Sequence, residues 1–501
     1  MEVVAAFSLA TDLGLGQPME HGLRSCLIAT RLAEQLELDE HQRACVFWVT
    51  LLAMVGCTAP SHEMAALFGD DIELRRGVYD IGPSPMAMPR YFLSRAGSDG
   101  GAGRRMRVGT SLALSGMRAV IQGFVADCEI TAGLARQLGL GENVSDSLQQ
   151  KFARWDGKGI PAGLAGEQIA PAARLLGISW RLEAEHRRSG THDALALVRR
   201  HAAATLDPQL VARVEPIATE VIDGLEEDCW RAVVAAEPPR ARLSGEALER
   251  ALEALADFAD LKSPWLTGHS RAVAELAEAA AWRLGLPQQD VTHVRHAALL
   301  HSLGRSGVPN TIWDKTGTLS VGERERVQLY PYLTDRVLRR GSLAQLANTA
   351  SASHERLDGS GYPRGVSGAS LPVHARLLAA ADIYQALCEP RPHRPAIPPD
   401  AAAEQLRGEV RDGRIDGDAA EAVLAASGHR PRRQRAAPAD LTAREVEVLR
   451  LIARGLTSAD TAEELEISTK TVGAHIEHIY AKIGTSNRSG AALFAMQHGL
   501  I

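Results

Sequence analysis

Three histidines and one aspartate in the second half of the chain are candidates for binding a divalent metal ion. They are His269, His301, His354 and Asp382, and a glycine-rich string lies between the last two. Imidazole and carboxylate ligands on adjacent helices suit divalent ions that activate water for attack on a phosphodiester. The residue types and their order therefore indicate metal-assisted phosphodiester chemistry, if the fold brings the four side chains together.

The glycine-rich string reads Asp358-Gly359-Ser360-Gly361-Tyr362-Pro363, and Asp382-Ile383-Tyr384-Gln385-Ala386-Leu387 follows it. With these motifs, residues from about 265 to 395 resemble the HD-GYP family of phosphohydrolases, which typically hydrolyse cyclic di-GMP. The resemblance implies a helical HD-type fold. It also implies a nucleotide-binding position at the string, formed by Asp358, Gly359, Gly361, Tyr362 and Pro363.

The chain departs from the HD-GYP pattern where that family holds its metal ions. The His-Asp pair that names the family is His301-Ser302, so the carboxylate that would bridge two ions is missing. The family's lysine, His-Pro pair and paired histidines are replaced by Arg305, Tyr330-Pro331 and Ser353-His354. Two divalent ions would then face a single fixed carboxylate, so we do not expect a dinuclear centre.

The ligands that survive are His269, His301, His354 and Asp382. Three imidazoles and one carboxylate could hold a single Zn²⁺ or Fe²⁺ ion. The alternative is that the four side chains are interior polar groups that satisfy one another by hydrogen bonds. The sequence leaves both interpretations open, and it predicts no catalytic residue.

Three sequence blocks occur twice in the same order, which indicates a tandem repeat. His21 lies 35 residues before Gly56, and His269 lies 35 residues before Gly304. Residues 155–161 then match 357–363, and residues 173–176 match 375–378. The first copy is 46 residues longer between its glycine and its Asp-Gly motif, which predicts a loop or small insertion within residues 77–103.

The first copy has lost the candidate metal ligands. Only His21 remains, while Ala53, Met54, Phe152 and Trp180 stand at the positions of His301, Ser302, His354 and Asp382. We therefore expect an apolar centre without metal, which would serve as an effector pocket or as a dimerisation surface.

The C-terminal residues 440–501 have the pattern of a helix-turn-helix. Thr442 and Glu445 predict a capping box at the start of a helix, and Ser468 is placed to cap a later helix from Thr469 to about Lys482. A short helix, a tight turn and a helix with a polar N-terminal end form the arrangement that reads the major groove of DNA.

All 62 of these residues resemble the LuxR-type (GerE-like) helix-turn-helix of bacterial transcription regulators. The resemblance rests on 441–449 and on 467–472 with His475 and Lys482. It implies double-stranded DNA as a partner. The implied contact residues are Thr469, Lys470, Thr471, Ala474, His475, Glu477 and Lys482.

Composition limits the other functions that the chain could have. The formal net charge is −6, so attraction to DNA must come from a local element. No run of about 18 apolar residues is present, and the N-terminus lacks the basic start of a signal peptide. The six cysteines form no C-x-x-C pair, which is typical of reduced core thiols. We therefore expect a cytoplasmic bacterial protein without a membrane partner.

Together these observations predict an all-α protein with two tandem HD-type helical domains and a four-helix LuxR-type domain. The expected boundaries are 1–235, 245–427, an Arg/Pro linker at 428–439, and 440–501. The predicted function is that of a DNA-binding transcription regulator whose HD-like domains sense a small-molecule effector and form a homodimer. Because metal ligands are missing, we do not expect the chain to be an enzyme. The alternatives are a cyclic di-GMP phosphodiesterase coupled to DNA binding, and an oligomerisation scaffold.

Overall fold

The computed structural model describes residues 1–501 except 85, 116, 226–227, 240–242, 430–438, 440, 454–455, 486–487, 498–499 and 501, and these residues are mostly helical. Within those residues there is no β-strand, only isolated bridges such as Phe152 with Ile160. The predicted all-α fold is confirmed. It agrees with a composition rich in alanine and leucine, which favour helices.

The described chain forms two compact units, an N-terminal unit at Met1–His429 and a C-terminal unit at Arg430–Ile501. Most of the predicted linker, residues 430–438 with its arginines, lies outside the described residues. One continuous apolar core runs through both halves of the N-terminal unit, and Phe7 packs edge-on against Phe258 within it. The boundary at 235–245 therefore stays a prediction from the sequence.

The helices of the first half include a helical hairpin that starts at His21. They are α1 Glu2–Gly14, α2 His21–Gln35, α3 Glu40–Leu52, α4 Ser61–Phe68, α5 Asp71–Val78, α6 Ala87–Arg95, α7 Ala102–Ser115, α8 Arg118–Gln137, α9 Glu142–Gln149, α10 Pro171–Ser189, α11 Thr191–His201, α12 Pro208–Val214, α13 Ala218–Ile222 and α14 Cys229–Ala235.

The helices of the second half include the equivalent hairpin that starts at His269. They are α15 Gly245–Asp260, α16 His269–Arg283, α17 Gln288–Leu300, α18 Asn310–Trp313, α19 Val321–Gln328, α20 Tyr330–Leu338, α21 Ala344–Ala350, α22 Val373–Cys388, α23 Pro399–Arg411 and α24 Gly417–Ala426.

Matching hydrogen bonds show that the two halves repeat one fold. The N–H of Gly56 donates to Oγ1 of Thr131 at 3.0 Å, and the N–H of Gly304 donates to Oγ1 of Thr334 at 3.0 Å. Further along, the N–H of residue 160 donates to the carbonyl of residue 152 at 3.0 Å, as that of residue 362 does to residue 354 at 3.1 Å. These pairs give the register in which the centres of the two halves can be compared.

The extra residues of the first half are partly helical. Residues 77–103 contain the end of α5, all of α6 and the start of α7. Phe68, Phe92 and Leu112 form a small apolar cluster there. Of the two alternatives that the sequence left open, a loop or a small insertion, the structure has a small folded insertion.

The C-terminal unit contains α25 Ala443–Ala453, α26 Ser458–Glu464, α27 Thr469–Ile483 and α28 Arg488–Gln497. The predicted capping box is present, since the N–H of Glu445 donates to Oγ1 of Thr442 at 3.2 Å and the N–H of Thr442 donates to Oε2 of Glu445 at 2.7 Å. Ser468 caps α27 as predicted, because its Oγ accepts the N–H of Thr471 at 3.0 Å.

No single helix among the described residues is long and apolar enough to cross a membrane. One pair of helical segments, Glu40–Thr58 and Ser61–Phe68, together has the length and composition that a membrane span requires, but the two segments are bent by 56° relative to each other.

Candidate functional site

Three of the predicted ligands converge at the centre of the second half, which we call the second centre (His269, His301 and Asp382). His269 begins α16, His301 directly follows α17, and Asp382 lies within α22. Nε2 of His269 lies 3.0 Å from Oδ1 of Asp382, and Nε2 of His301 lies 3.6 Å from the same oxygen. All three residues are buried, and one potential ligand atom of each lies within 4.8 Å of the others.

The other ring nitrogens of the two histidines are held by partners outside the cluster. Nδ1 of His269 is 2.8 Å from Oε2 of Glu389, and Nδ1 of His301 is 2.6 Å from the carbonyl oxygen of Ala298. Such partners fix the orientation of a ring, so both Nε2 atoms are directed at Asp382. No sequence motif pointed to Glu389, which lies seven residues after Asp382 and caps the C-terminus of α22.

Charge is closely balanced in the second centre. Burial opposes ionisation of Asp382, but hydrogen bonds with His269 and His301 outweigh it and hold the pKa of Asp382 well below its usual range. Burial also opposes the charged form of His269, yet its bonds to Asp382 and Glu389 raise the pKa of that imidazole.

The fourth predicted ligand, His354, has another partner. Its Nε2 lies 2.5 Å from the hydroxyl oxygen of Tyr330 and 3.6 Å from Oδ2 of Asp382. Its ring stacks on Tyr362, with centroids 4.8 Å apart and an angle of 8°. Burial lowers the pKa of His354 to about 3, so the ring is neutral at ordinary pH. His354 therefore lies at the edge of the cluster.

Arg305 points into the second centre and was not among the predicted ligands. It is 5% exposed and lies on the 3-10 turn Leu303–Gly307. Its Nη2 is 3.4 Å from Nε2 of His269 and 3.5 Å from the hydroxyl oxygen of Tyr330. Burial opposes the charge, but Tyr330 and Asp382 outweigh burial and raise the pKa of Arg305. A permanent cation thus stands beside the atoms that would bind a metal ion.

Ser302, at the position of the missing aspartate, is part of a hydrogen-bond chain. Its Oγ lies 3.2 Å from Nε2 of His301 and 2.9 Å from Oγ of Ser270. Oγ of Ser270 donates to Oδ1 of Asp260 at 2.7 Å. The N–H of Ser270 donates to Oδ2 of the same carboxylate, also at 2.7 Å. This chain supports the interpretation of the residues as mutually satisfied interior polar groups.

The residues of the second centre do not fit a pair of divalent ions. Asp382 is the carboxylate at the cluster, and a serine hydroxyl cannot bridge two ions as a carboxylate does. A single ion has three suitable donors, but it would compete with Arg305 for Nε2 of His269. Two unit charges about 4 Å apart interact by about 4 kcal/mol at an effective dielectric constant of about 20, and a divalent ion would meet about twice that repulsion.

The glycine-rich string forms a turn beside this cluster. The structure brings Tyr362 onto His354, whereas Asp358 is exposed and its Oδ1 accepts the N–H of Ser360 at 2.9 Å. A Cβ atom at Gly361 would lie 2.4 Å from the backbone nitrogen of Arg356, so the tight turn requires glycine there. The predicted nucleotide-binding role of Asp358, Gly359, Gly361, Tyr362 and Pro363 stays a prediction.

The centre of the first half, which we call the first centre (His21, Asp127 and Lys151), differs from the apolar centre expected from the sequence. Nζ of Lys151 lies 2.6 Å from Oδ1 of Asp127, and both side chains are buried. The same ammonium donates to the carbonyl oxygen of Ala53 at 2.6 Å and to Oγ1 of Thr131 at 2.9 Å. The expectation of an apolar centre was wrong, because a buried ion pair occupies it.

His21 is fully buried and closed off by the insertion. Its Nε2 lies 3.0 Å from the hydroxyl oxygen of Tyr79, and its Nδ1 bonds to Glu183. Trp180 lies beside the His21 ring at a centroid distance of 6.4 Å, where the second half has Asp382 beside His269. The carbonyl oxygen of Pro83, further along the insertion, accepts from Arg154 at 2.8 Å.

The predicted DNA-contacting residues mostly share an exposed face of α27. Thr469, Lys470, Thr471, Ala474 and Glu477 are exposed, and His475 is half-buried. On the opposite face, Val472 and Ile479 are fully buried in the core of the unit.

Lys482 differs from the other predicted contacts, because its ammonium lies 2.6 Å from Oε2 of Glu445. Burial opposes ionisation of Glu445, but Lys482 and the backbone of Thr442 lower its pKa to about 2. Lys482 therefore ties α27 to α25, a contact that helical periodicity alone could not reveal.

Tandem helical repeats that gather histidines and an aspartate, followed by a capped helix-turn-helix, define an HD-type protein with a C-terminal DNA-binding domain. The family model for the HD domain matches residues 128–210 and 253–419, and that for bacterial regulatory proteins of the luxR family matches 439–495.

Known relatives agree with this class. The 3'3'-cGAMP-specific phosphodiesterase 3 of Vibrio cholerae is 31% identical over 408 residues, which cover 80% of this chain and 89% of that protein. A crystal structure of cyclic GMP-AMP specific phosphodiesterases of V. cholerae matches with a TM-score of 0.60 and 26% identity, covering 86% of this chain and 98% of the other. A cyclic di-GMP phosphodiesterase of Thermotoga maritima is 32% identical over 158 residues, 31% of this chain and 42% of that protein.

The chain therefore belongs to the HD-domain family that includes these phosphodiesterases, and it carries a LuxR-type DNA-binding domain. Both resemblances predicted from the sequence are confirmed.

Proposed function

We propose that this protein is a transcription regulator whose HD tandem binds a cyclic dinucleotide without hydrolysing it and passes that state to the DNA-binding domain. The observation that carries the proposal is the second centre, where Ser302 replaces the bridging carboxylate and Arg305 stands beside the remaining donors. The names of the relatives support a cyclic dinucleotide as the ligand class. The LuxR-type domain supports double-stranded DNA as the partner.

The direct experiment combines DNA binding with product analysis on the full chain. Duplex fragments of the organism's own promoters are titrated by fluorescence anisotropy, with and without 3'3'-cGAMP or cyclic di-GMP. We expect 3'3'-cGAMP or cyclic di-GMP to change the affinity for DNA. Chromatography should show that the nucleotide is intact after incubation. Linear or mononucleotide product, or DNA binding that neither nucleotide changes, would contradict the proposal.

We also propose that the protein is a homodimer, because two-fold DNA sites require two readers. The sequence also predicts an apolar surface for self-association on α28, at Ala491, Ala492, Leu493, Phe494 and Met496, but the unit itself covers part of it. Ala491 and Ala495 are buried in the unit's own core, and the side chains of Leu493 and Met496 lie outside the described residues. Light scattering of the full chain, free and on a palindromic duplex, tests the dimer, and a monomer in both states would refute it.

A second candidate function is metal-dependent hydrolysis by one Zn²⁺ or Fe²⁺ ion at the second centre. It is favoured by the convergence of His269, His301 and Asp382. A metal bound there would activate water for attack on phosphorus. Product that requires added metal and disappears in His301→Ala would establish this candidate, and its absence with Mg²⁺, Mn²⁺, Fe²⁺ and Zn²⁺ would exclude it.

A further inference from the structure

Each half of the N-terminal unit places one buried basic side chain at its centre. In the first centre Lys151 has a fully buried side chain, and in the second centre Arg305 is 5% exposed. An isolated buried cation is costly unless anionic or hydrogen-bonding partners surround it. Both cations therefore need a physical explanation.

In the first centre, three oxygen atoms of the chain surround the ammonium of Lys151. Nζ of Lys151 contacts the carbonyl oxygen of Ala53, Oδ1 of Asp127 and Oγ1 of Thr131. Ala53 stands at the sequence position of His301, and Asp127 lies four residues before Thr131 as Tyr330 lies four residues before Thr334. The ammonium thus lies at the position that the second half surrounds with Tyr330, Thr334 and the carbonyl oxygen of His301.

The cation of the second centre has fewer partners. Nη2 of Arg305 contacts His269 and Tyr330, and the guanidinium lies over the rings of Tyr330 and Trp313 at 5.1 and 5.7 Å. Its Nε and Nη1 make no hydrogen bond with the described residues. The His269 Nε2 that Arg305 contacts is also 3.0 Å from Oδ1 of Asp382, the carboxylate of the cluster.

The two basic residues come from different positions of the repeat. Arg305 follows Gly304, and the residue that follows the equivalent Gly56 is Cys57. Lys151 precedes Phe152, and the residue that precedes the equivalent His354 is Ser353. The common feature is therefore a positive charge at the centre, supplied from two different positions of the repeat.

We propose that Lys151 and Arg305 supply the positive charge of the two centres in place of metal ions. The HD tandem then folds, and binds a small molecule, without metal. This goes beyond the proposed regulator, since it holds whether or not DNA binding responds to a nucleotide. The HD-GYP pattern has lysine at the position of Arg305, but beside an aspartate that is Ser302 here. Without that carboxylate, Asp382 is the carboxylate of the cluster, and the His269 imidazole and the Arg305 guanidinium stand beside it.

The test is metal retention by the full chain after incubation with ZnCl₂ and desalting. Wild type should retain little zinc. Arg305→Gln should retain about one zinc per chain, because His269, His301 and Asp382 could then bind the ion without a guanidinium beside them. The melting temperature of Arg305→Gln should rise with zinc and fall with a chelator, whereas that of wild type should respond to neither. Arg283→Gln, an exposed change on α16, is the matched control and should behave as wild type.

Two results would overturn the proposal. One is wild type that retains one zinc per chain and loses it in His301→Ala. The other is Arg305→Gln that retains no zinc and melts at the wild-type temperature, because Arg305 would then neither stabilise the centre nor exclude metal. If Arg305→Gln is recovered only when zinc is present during expression, that dependence supports the proposal, and unchanged insolubility with zinc counts against it.

Discussion

Nζ of Lys482 lies 2.6 Å from Oε2 of Glu445, and this contact joins the last turn of the recognition helix α27 to the first helix of the C-terminal unit. Glu445 is 4% exposed and also closes the capping box with Thr442. A single carboxylate therefore positions both the start of the unit and α27, on which most of the predicted DNA contacts lie. Lys482 is better suited to orienting α27 than to binding a phosphate.

We predict that Lys482→Met weakens DNA binding without changing its salt dependence. The ammonium that is lost contacts Glu445, so no phosphate contact disappears with it. Anisotropy titrations at several salt concentrations measure both quantities, and Glu445→Gln should show the same pattern. A salt slope that falls by about one unit in Lys482→Met would instead assign this lysine to a phosphate.

Lys470→Ala should weaken binding to every duplex and reduce the salt slope by about one unit, as loss of one phosphate contact does. Lys470 is exposed near the N-terminus of α27, where its ammonium is free to approach the DNA backbone. The same titrations measure the effect. Lys158→Ala, an exposed change in the N-terminal unit, is the control, and equal behaviour of the two variants would contradict the interface.

The stability of the C-terminal unit should fall in acid. The pKa of Glu445 is about 2 in the folded unit against an ordinary value of 4.5. A lowered folded pKa contributes stability that is present above pH 4.5 and is lost as the pH falls towards 2. Amide exchange of α25 and α27 across this range should show the loss. Glu445→Gln should remove that part of the pH dependence, and an unchanged profile in this variant would contradict the assignment.

Lys151→Met should destabilise the N-terminal unit by about 3–5 kcal/mol, because it leaves Asp127 buried without its cation. The double variant Lys151→Met/Asp127→Leu should recover most of that loss, since it removes both charges. Urea unfolding followed by tryptophan fluorescence measures both variants. A double variant as unstable as the single one would show that the pair is not the source of the effect.

Restoring the family's ligands should restore metal binding to the second centre. We expect Ser302→Asp, Tyr330→His and Ser353→His together to raise metal occupancy, because they add one carboxylate and two imidazoles next to Asp382. Elemental analysis of the purified protein measures the metal, and chromatography detects cleavage of cyclic di-GMP. Occupancy equal to that of wild type would show that the missing ligands are not the limiting feature.

Local signals in the sequence were enough to predict the helical class, the tandem repeat and the capped helix-turn-helix. The capping hydrogen bonds of Thr442, Glu445 and Ser468 join residues that are three apart in the sequence, so spacing alone predicts them. Three of the four candidate ligands also meet as their order in the repeat suggested.

The features that decide the chemistry depend on contacts between distant residues. Lys151 reaches Asp127 across 24 residues, Glu445 reaches Lys482 across 37, and Arg305 reaches His269 across 36. Periodicity identifies which residues are buried on a helix, but it does not show which charged side chains share an interior. The ion pair of the first centre was missed for this reason.

Tyr79 occupies the free ring nitrogen of His21, and it does so from an insertion that only the first half contains. The centres of the two halves therefore differ in what closes them, although both halves share one fold. A molecule that enters the second centre should saturate the protein at one per chain, half the number that the repeat would suggest. If the HD tandem binds a small molecule as proposed, the insertion leaves one half of the duplicated scaffold as the receptor and makes the other half its structural partner.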